Sequence, residues 1–336
     1  MTARLGLGSF IGFGYTALYT TDAVAADVDF RLPVEGGFHN LQGETDRMDF
    51  QNLDTYDALA SLQFAGQKRV SGGVTFRAPW SAIGDILRMI TGHNPTIAGG
   101  PPVTGTFNLL DPDDTTHILT GTTKRNLFCE IFTNGTDGLS VFYQGLIITQ
   151  AQITFNENEW VEIALTFLGR GVTRSAKSTT PVLAVDLMKT PNGQAVRLMN
   201  IGGADLRANS VTLTIDSPYT HNYDVTDDEA TTTPSVDGKR AVSLEADVEA
   251  PGTDTEFANL METLTPQDII LTLSPTGDDQ LVITARDCII SPGSEARPEG
   301  VNTLRANPSW TAHDDGTNPI VAIQADNNVY IAATLP

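Results

Sequence analysis

The sequence predicts a mainly β chain with a minor α component, built as two tandem β-sandwich or barrel domains, each with one flanking α-helix. Three observations carry this. Residues 66–79 (GQKRVSGGVTFRAP) read onto 238–251 (GKRAVSLEADVEAP) at a constant offset of 172, with identity at Gly66/Gly238, Val70/Val242, Ser71/Ser243, Ala78/Ala250 and Pro79/Pro251. Each stretch leads into an apolar stripe at helical spacing, Ile83, Ile86, Leu87 and Ile90 in one case, Phe257, Leu260, Met261 and Leu264 in the other. Residues 135–148 (GTDGLSVFYQGLII) then match 277–290 (GDDQLVITARDCII) at offset 142. Strand, helix, turn and strand recur in one order, so the chain reads as a duplication.

The elements follow in turn. Residues 1–24 read as an extended, glycine-rich arm. Arg4, an apolar run to Tyr19 and a small-residue stretch at 23–26 imitate a secretory signal, but Gly6, Gly8, Gly12 and Gly14 make poor helix. Val28, Phe30 and Leu32 alternate with polar residues as a strand ending at Pro33. Residues 39–63 are mixed and polar and carry no assignment. The strand at 68–77 leads into the first helix, with Ser81 as its cap, and Thr253 or Asp254 caps the second.

The offset falls from about 174 at the helices to 142 at the hairpins, so the first copy carries about 32 extra residues between Gly92 and Asn126. Their Gly, Pro, Thr and Asp content predicts a projecting loop. Residues 127–132 and 139–149 flank an Asn134-Gly135 reversal, and alternation places Val161, Ile163, Leu165 and Phe167 on one strand face. A Lys, Ser, Thr and Pro composition marks a linker at 176–192, between a first domain over 1–175 and a second over 193–336. The second copy runs through SVTLTID at 210–216, an acidic loop at 220–238, the repeated strand, helix and hairpin, and two closing strands.

With 336 residues each half has enough chain for a core of its own. The 41 acidic and 20 basic residues give a net charge of −21, which repels nucleic-acid phosphates and anionic membranes. Solubility alone explains such a surface, and so does a surface that must pass DNA without holding it. No stretch is long and apolar enough for a membrane-spanning helix. Cys129 and Cys288 occupy apolar strand patterns at non-equivalent places in the repeat and read as small buried hydrophobes in a reducing compartment.

No catalytic, cofactor or metal constellation is evident. His39, His93, His117, His221 and His313 are dispersed without metal-ligand spacing. The carboxylate clusters at Asp111/Asp113/Asp114, Asp227/Asp228/Glu229, Asp278/Asp279 and Asp314/Asp315 lack calcium-loop spacing and read as solvated turn tips. The basic pairs Lys68-Arg69 and Lys239-Arg240 are too small for a nucleic-acid footprint and read as edge-strand charges or lateral salt bridges to a neighbouring subunit.

Together the glycine-rich opening SFIGFGYTALYTTDAVAADVDFRLPV, the SVTLTID strand with its acidic loop, VDGKRAVSLEADVEAP, LTLSPTGDDQLVITARDCII and the closing residues 301–326 resemble the tail tube protein of long-tailed bacteriophages. The resemblance implies a structural virion protein with no reaction and no cofactor. It implies β-sandwich units with a flanking helix, packed side by side into rings that stack into a tube conducting DNA without sequence-specific binding. Related tubes carry six units per ring, so a two-copy chain closes one as a trimer with pseudo-sixfold symmetry. Its partners are then itself, tape measure, distal tail and terminator proteins, with assembly in the host cytoplasm, no membrane, and the tail as final place.

Candidate ring-stacking contacts are Thr96, Phe107, Asp113, Asp114, Tyr219, Tyr223 and Asp227, on residues 92–126 and 217–238; the N-terminal arm and linker join them. Candidate lateral contacts are Lys68, Arg69, Lys239 and Arg240. Two rival readings stand beside this one: a distal tail or baseplate component, and a secreted carbohydrate-binding or adhesin sandwich.

Overall fold

The computed structural model describes residues 9–19, 21–33, 40–50, 62–99, 103–111, 113–122, 124–132, 139–179, 181, 184, 186–188, 199–201, 204–206, 208–223, 231–249, 265–273, 280–291, 297–298, 304–314 and 318–327. Through residue 188 the strands are β1 (Phe10–Thr16), β2 (Val28–Pro33), β3 (Gln42–Phe50), β4 (Leu62–Arg77), β5 (Thr96–Ala98), β6 (Val103–Asn108), β7 (Asn126–Phe132), β8 (Leu139–Asn156), β9 (Glu162–Gly169) and β10 (Gly171–Ala176). One helix, α1 (Ile83–Thr91), follows a 3-10 turn at Trp80–Ala82. From residue 199 onward come β11 (Met199–Ile201), β12 (Ala204–Leu206), β13 (Ala208–Asp216), β14 (Tyr219–Tyr223), β15 (Thr231–Val236) and β16 (Ala241–Glu249). They are followed by β17 (Gln267–Leu273), β18 (Gln280–Ile290), β19 (Arg297–Pro298), β20 (Leu304–Ala306), β21 (Ser309–Ala312) and β22 (Val321–Asn327). The chain is mainly β, with large antiparallel sheets and a single described helix. The second expected helix lies outside the described residues.

Two long strands bend from one sheet into another. The first part of β8 pairs with β7 and β10, and its last part pairs with β9 and β13. Likewise β18 pairs with β17 and β22, then ends on β21 at Ile289 and Ile290. Each half therefore has a sheet of its own, β2-β1-β7-β8-β10 in the first and β12-β11-β17-β18-β22 in the second. Both halves contribute to a third, shared sheet, ordered β3-β4-β9-β8-β13-β16-β21-β18.

Registers in the two halves coincide. Gln42 and Gly43 of β3 face Ser71 and Val70 of β4; 172 residues on, Thr214 and Ile215 of β13 face Ser243 and Val242 of β16. Ile11 faces Leu32 and Ile131, and Met199 faces Leu206 and Leu271 in the matching places.

Strand alternation sets the core. Val74, Phe76, Leu165, Ile153, Leu213 and Leu244 all turn inward from the shared sheet and are buried, while their neighbours along each strand face out. The stripe of α1 is buried at Ile83, Ile86, Leu87 and Ile90, as its spacing predicts. Gly92 ends the helix at φ 70, donating its amide to the Arg88 carbonyl at 3.0 Å.

Several local expectations need correction. Residues 10–16 are no free arm: β1 is buried along its length between β2 and β7. Its glycines permit that close approach, since a Cβ at Gly14 would lie 2.2 Å from the Asp27 carbonyl oxygen. Ser81 does not cap α1, whose N-cap is Ala82 with no side-chain bond. The preceding turn is held instead by Asp186, which accepts the Ser81 amide at 2.8 Å and its hydroxyl at 2.5 Å. The unassigned polar stretch contains the strand β3, whose mixed composition gave no alternation to read.

Candidate assembly surface

Among the described residues, two ladders join the halves. In the shared sheet, β8 residues Gln150 through Asn156 pair antiparallel with β13 residues Asp216 through Ser210, and Gln150 Nε2 donates to Asp216 Oδ1 at 2.7 Å. At the edge of the second-half sheet, β6 pairs with β22, so Phe107 faces Ile323. β6 comes from the extra residues between α1 and β7. These do not project as expected, because their apolar side chains Phe107, Leu109, Ile118 and Leu119 are buried in the core.

Arg240 fixes the same junction. Its Nη1 donates to the Leu110 carbonyl and its Nε to Ser217 Oγ at 2.9 Å. Behind it His117 is buried; its Nδ1 accepts the amides of Leu119 at 3.2 Å and Thr120 at 3.3 Å. Desolvation, then the Arg240 charge, push the imidazole down to about 3, against a smaller opposing effect of Asp114. The His117 ring lies against Gly92, where a Cβ would meet Nε2 at 2.0 Å.

The residues beyond β10 bind the first half as a strap. Ser178 gives both its amide, at 2.9 Å, and its hydroxyl to the fully buried Glu130, which also accepts Ser140 Oγ at 2.5 Å. Arg31 Nε donates to Ser178 Oγ at 3.0 Å, and the guanidinium lies 4.3 Å from the centre of the Phe10 ring. Further along, Met188 donates its amide to the Ala78 carbonyl and accepts the amide of Val161. The described part of the expected linker is thus folded onto the first half.

Not all of the candidate contact residues share one surface. Thr96 and Asp113 are exposed, and Asp114 is half-buried, its Oδ1 accepting the Thr116 amide and hydroxyl at 2.7 Å each. These bonds hold the Asp114 carboxyl below the usual range. Phe107 is wholly buried, which removes it from the exposed set. Tyr219 is buried at the root of the β14-β15 hairpin, and Tyr223 lies on β14 opposite Thr231; Asp227 lies outside the described residues. Among the basic pairs, Lys68 and Lys239 are exposed, Arg69 bonds Glu44 at 3.0 Å across the β3-β4 ladder, and Arg240 is engaged inside the chain.

Among the described residues no group of three His, Cys, Asp or Glu side chains could hold a metal ion, and no described helix is long and apolar enough to cross a membrane. Cys129 and Cys288 are both free and buried. Burial, with Glu130 second, raises the Cys129 thiol well above its ordinary value, and burial pushes the Cys288 thiol up to about 12.

The sheet edges are the remaining feature. β3 ends the shared sheet on one side, with β4 its only described partner; β18 ends it on the other. Missed from sequence was the seam between halves, because no local pattern encodes a pairing between β6 and β22. The family model described as phage tail tube protein matches residues 52–312. No curated protein matches the chain.

Proposed function

The chain belongs to the phage tail tube protein family, and from that premise we propose that it is a two-copy tube subunit, three chains closing a ring that stacks with others to conduct DNA during ejection. The role is structural. The observation that carries the ring is the β8-β13 ladder: β13 matches β3 in register at offset 172, and β3 is the end of the same sheet among the described residues. A neighbouring chain can then offer its β18 end to β3, as β8 is offered to β13 within one chain. Three chains supply six such junctions, half of them within chains.

On this reading the domains are two copies of one unit, with the boundary after Met188, since the strap up to that residue belongs to the first copy. The β14-β15 hairpin, with Thr96, Asp113 and Asp114, supplies ring-to-ring contacts; other tail proteins meet the tube at its ends. Tail assembly takes place in the host cytoplasm.

Electron microscopy of the purified chain tests this. Hollow filaments or stacked rings with threefold symmetry are the expected result. A monodisperse monomer under all conditions overturns it.

A further inference from the structure

We infer that a second copy of this chain docks its residues 252–266 on an exposed face of the first half, formed by Leu139 and Val141 of β8 and by Val172, Arg174 and Ala176 of β10. This rests on the ring reading and adds to it which segment meets which surface between chains.

The two halves match in register here but not in burial. Leu139 pairs with Ala176, and Tyr143 with Val172. In the second half Leu281 pairs with Ala325, and Ala285 with Val321, at offsets of 142 on β18 and 149 on β22. Register therefore puts Leu139, Val141, Val172, Arg174 and Ala176 on the same sheet face as Leu281, Ile283, Val321, Ile323 and Ala325. None of the second set is more than 2% exposed. In the first set Leu139 is 43% and Val172 40% exposed, Arg174 and Ala176 are exposed as well, and Val141 is only partly buried.

What hides the second set comes from the preceding half. The first-half elements α1 and β6 pack on β22, and Leu109 donates its amide to the Val321 carbonyl at 2.9 Å. A helix with one apolar stripe on one sheet leaves its back to solvent. α1 does not: every residue of it but Asp85 is buried, because it sits between two units. The second half carries the matching stripe, Phe257, Leu260, Met261 and Leu264, at offset 174. It is the last unit of its chain, so the unit that this stripe would cover belongs to the next chain.

Charge agrees with that pairing. Where the segment before and into α1 has Trp80 and Ala82, and the face it covers has Ile323, the second segment has Asp254 and Glu256, and the exposed face has Arg174. A base and two acids thus enter on opposite sides of one junction. Between chains of net charge −21, this is an attraction where the general balance repels. The β5-β6 hairpin has no counterpart, since only Thr265 and Pro266 separate Leu264 from β17, so the stripe segment is the whole of the cover.

Photocrosslinking between full chains tests the contact. Ala176→Cys carrying a maleimide benzophenone, on chains labelled with heavy nitrogen, is assembled with unlabelled parent chains; both native cysteines are buried. Adducts between heavy and light chains should map to residues 252–266 and be absent from unassembled chains. Adducts elsewhere on the neighbour, or only within one chain, overturn the docking and leave the ring standing; a parent chain that never assembles overturns the ring itself. In a second measurement, Val172→Asp should leave the urea midpoint of the unassembled chain unchanged and raise the concentration needed for assembly at least about tenfold. Trp160→Ser, at an equally exposed residue outside the face, should not raise it. Arg174→Glu should raise it about tenfold, and Asp254→Lys with Glu256→Lys in the same chain should restore it. Val172→Asp chains that assemble as readily as the parent overturn the docking, and an Arg174→Glu loss that is not restored overturns the pairing of charges.

Discussion

The side-chain oxygen Oδ1 of Asn126 accepts the backbone amide of Gly145 at 2.6 Å, and Gly145 sits at φ 63 where the β7-β8 register slips by one. The second half repeats the device with different residues. Asp287, at φ 47, lies 142 positions after Gly145, its amide is accepted by Asp268 Oδ1 at 3.2 Å, and β17-β18 slips there too. A bulge turns a strand, and these two let β8 and β18 leave one sheet for the next.

The two bulges respond oppositely to substitution. Asp287 carries a side chain in the left-handed region, so Asp287→Gly relieves strain and raises stability by about 0.5–1 kcal/mol. Gly145→Ala adds strain, and its Cβ would lie 2.7 Å from that of Arg170, so it lowers stability by about 2 kcal/mol. Urea unfolding of the two variants measures both; a loss for Asp287→Gly would show that the carboxylate itself is needed there.

How much of this was readable depended on whether a feature is local. The α1 stripe and the Leu139 strand are periodic in sequence, and periodicity reports which face is buried. Nothing near Ser81 announces that its partner is Asp186, 105 residues later. Distance also hid the fate of residues 92–126: their glycines and prolines read as a projecting loop without regular structure, yet β6 gains its place from β22, more than two hundred residues away. The opening glycines misled in another way, since they mark the close packing of β1 on its neighbours, with a Cβ at Gly12 only 2.9 Å from Val28 Cγ1. For the candidate contacts, residue type showed charge and bulk but not direction, so Phe107 and Arg240 looked like surface groups.

Acid weakens the junction through His117. Its folded value near 3 lies below its ordinary 6.5, so the unfolded chain binds the proton more readily. The contribution is fully present above about 6.5 and is lost as pH falls toward 3, with a slope of at most about 1.4 kcal/mol per pH unit. His117→Asn keeps an acceptor for the turn amides without a titrating ring. Unfolding free energies from pH 7 to 4 should fall less in that variant; identical slopes would assign the acid loss to other groups.

Arg240 holds the extra segment of the first half to the second, and the shape of its head matters as much as its charge. Two acceptors in different directions hold the guanidinium: the Leu110 carbonyl at Nη1 and Ser217 Oγ at Nε. A lysine ammonium offers one point charge and cannot place separate donors where Nε and Nη1 stand in the planar fork. Arg240→Ala should cost about 2 kcal/mol, and Arg240→Lys should recover less than half of it. The loss should be local as well as global, because Leu109 and Leu110 donate their amides to Val321 and Thr91 beside the β6-β22 ladder. Hydrogen exchange should therefore quicken in β6 and β22 of Arg240→Ala before it quickens in β7; uniform acceleration across the chain would mean that Arg240 stabilises the fold without serving the seam.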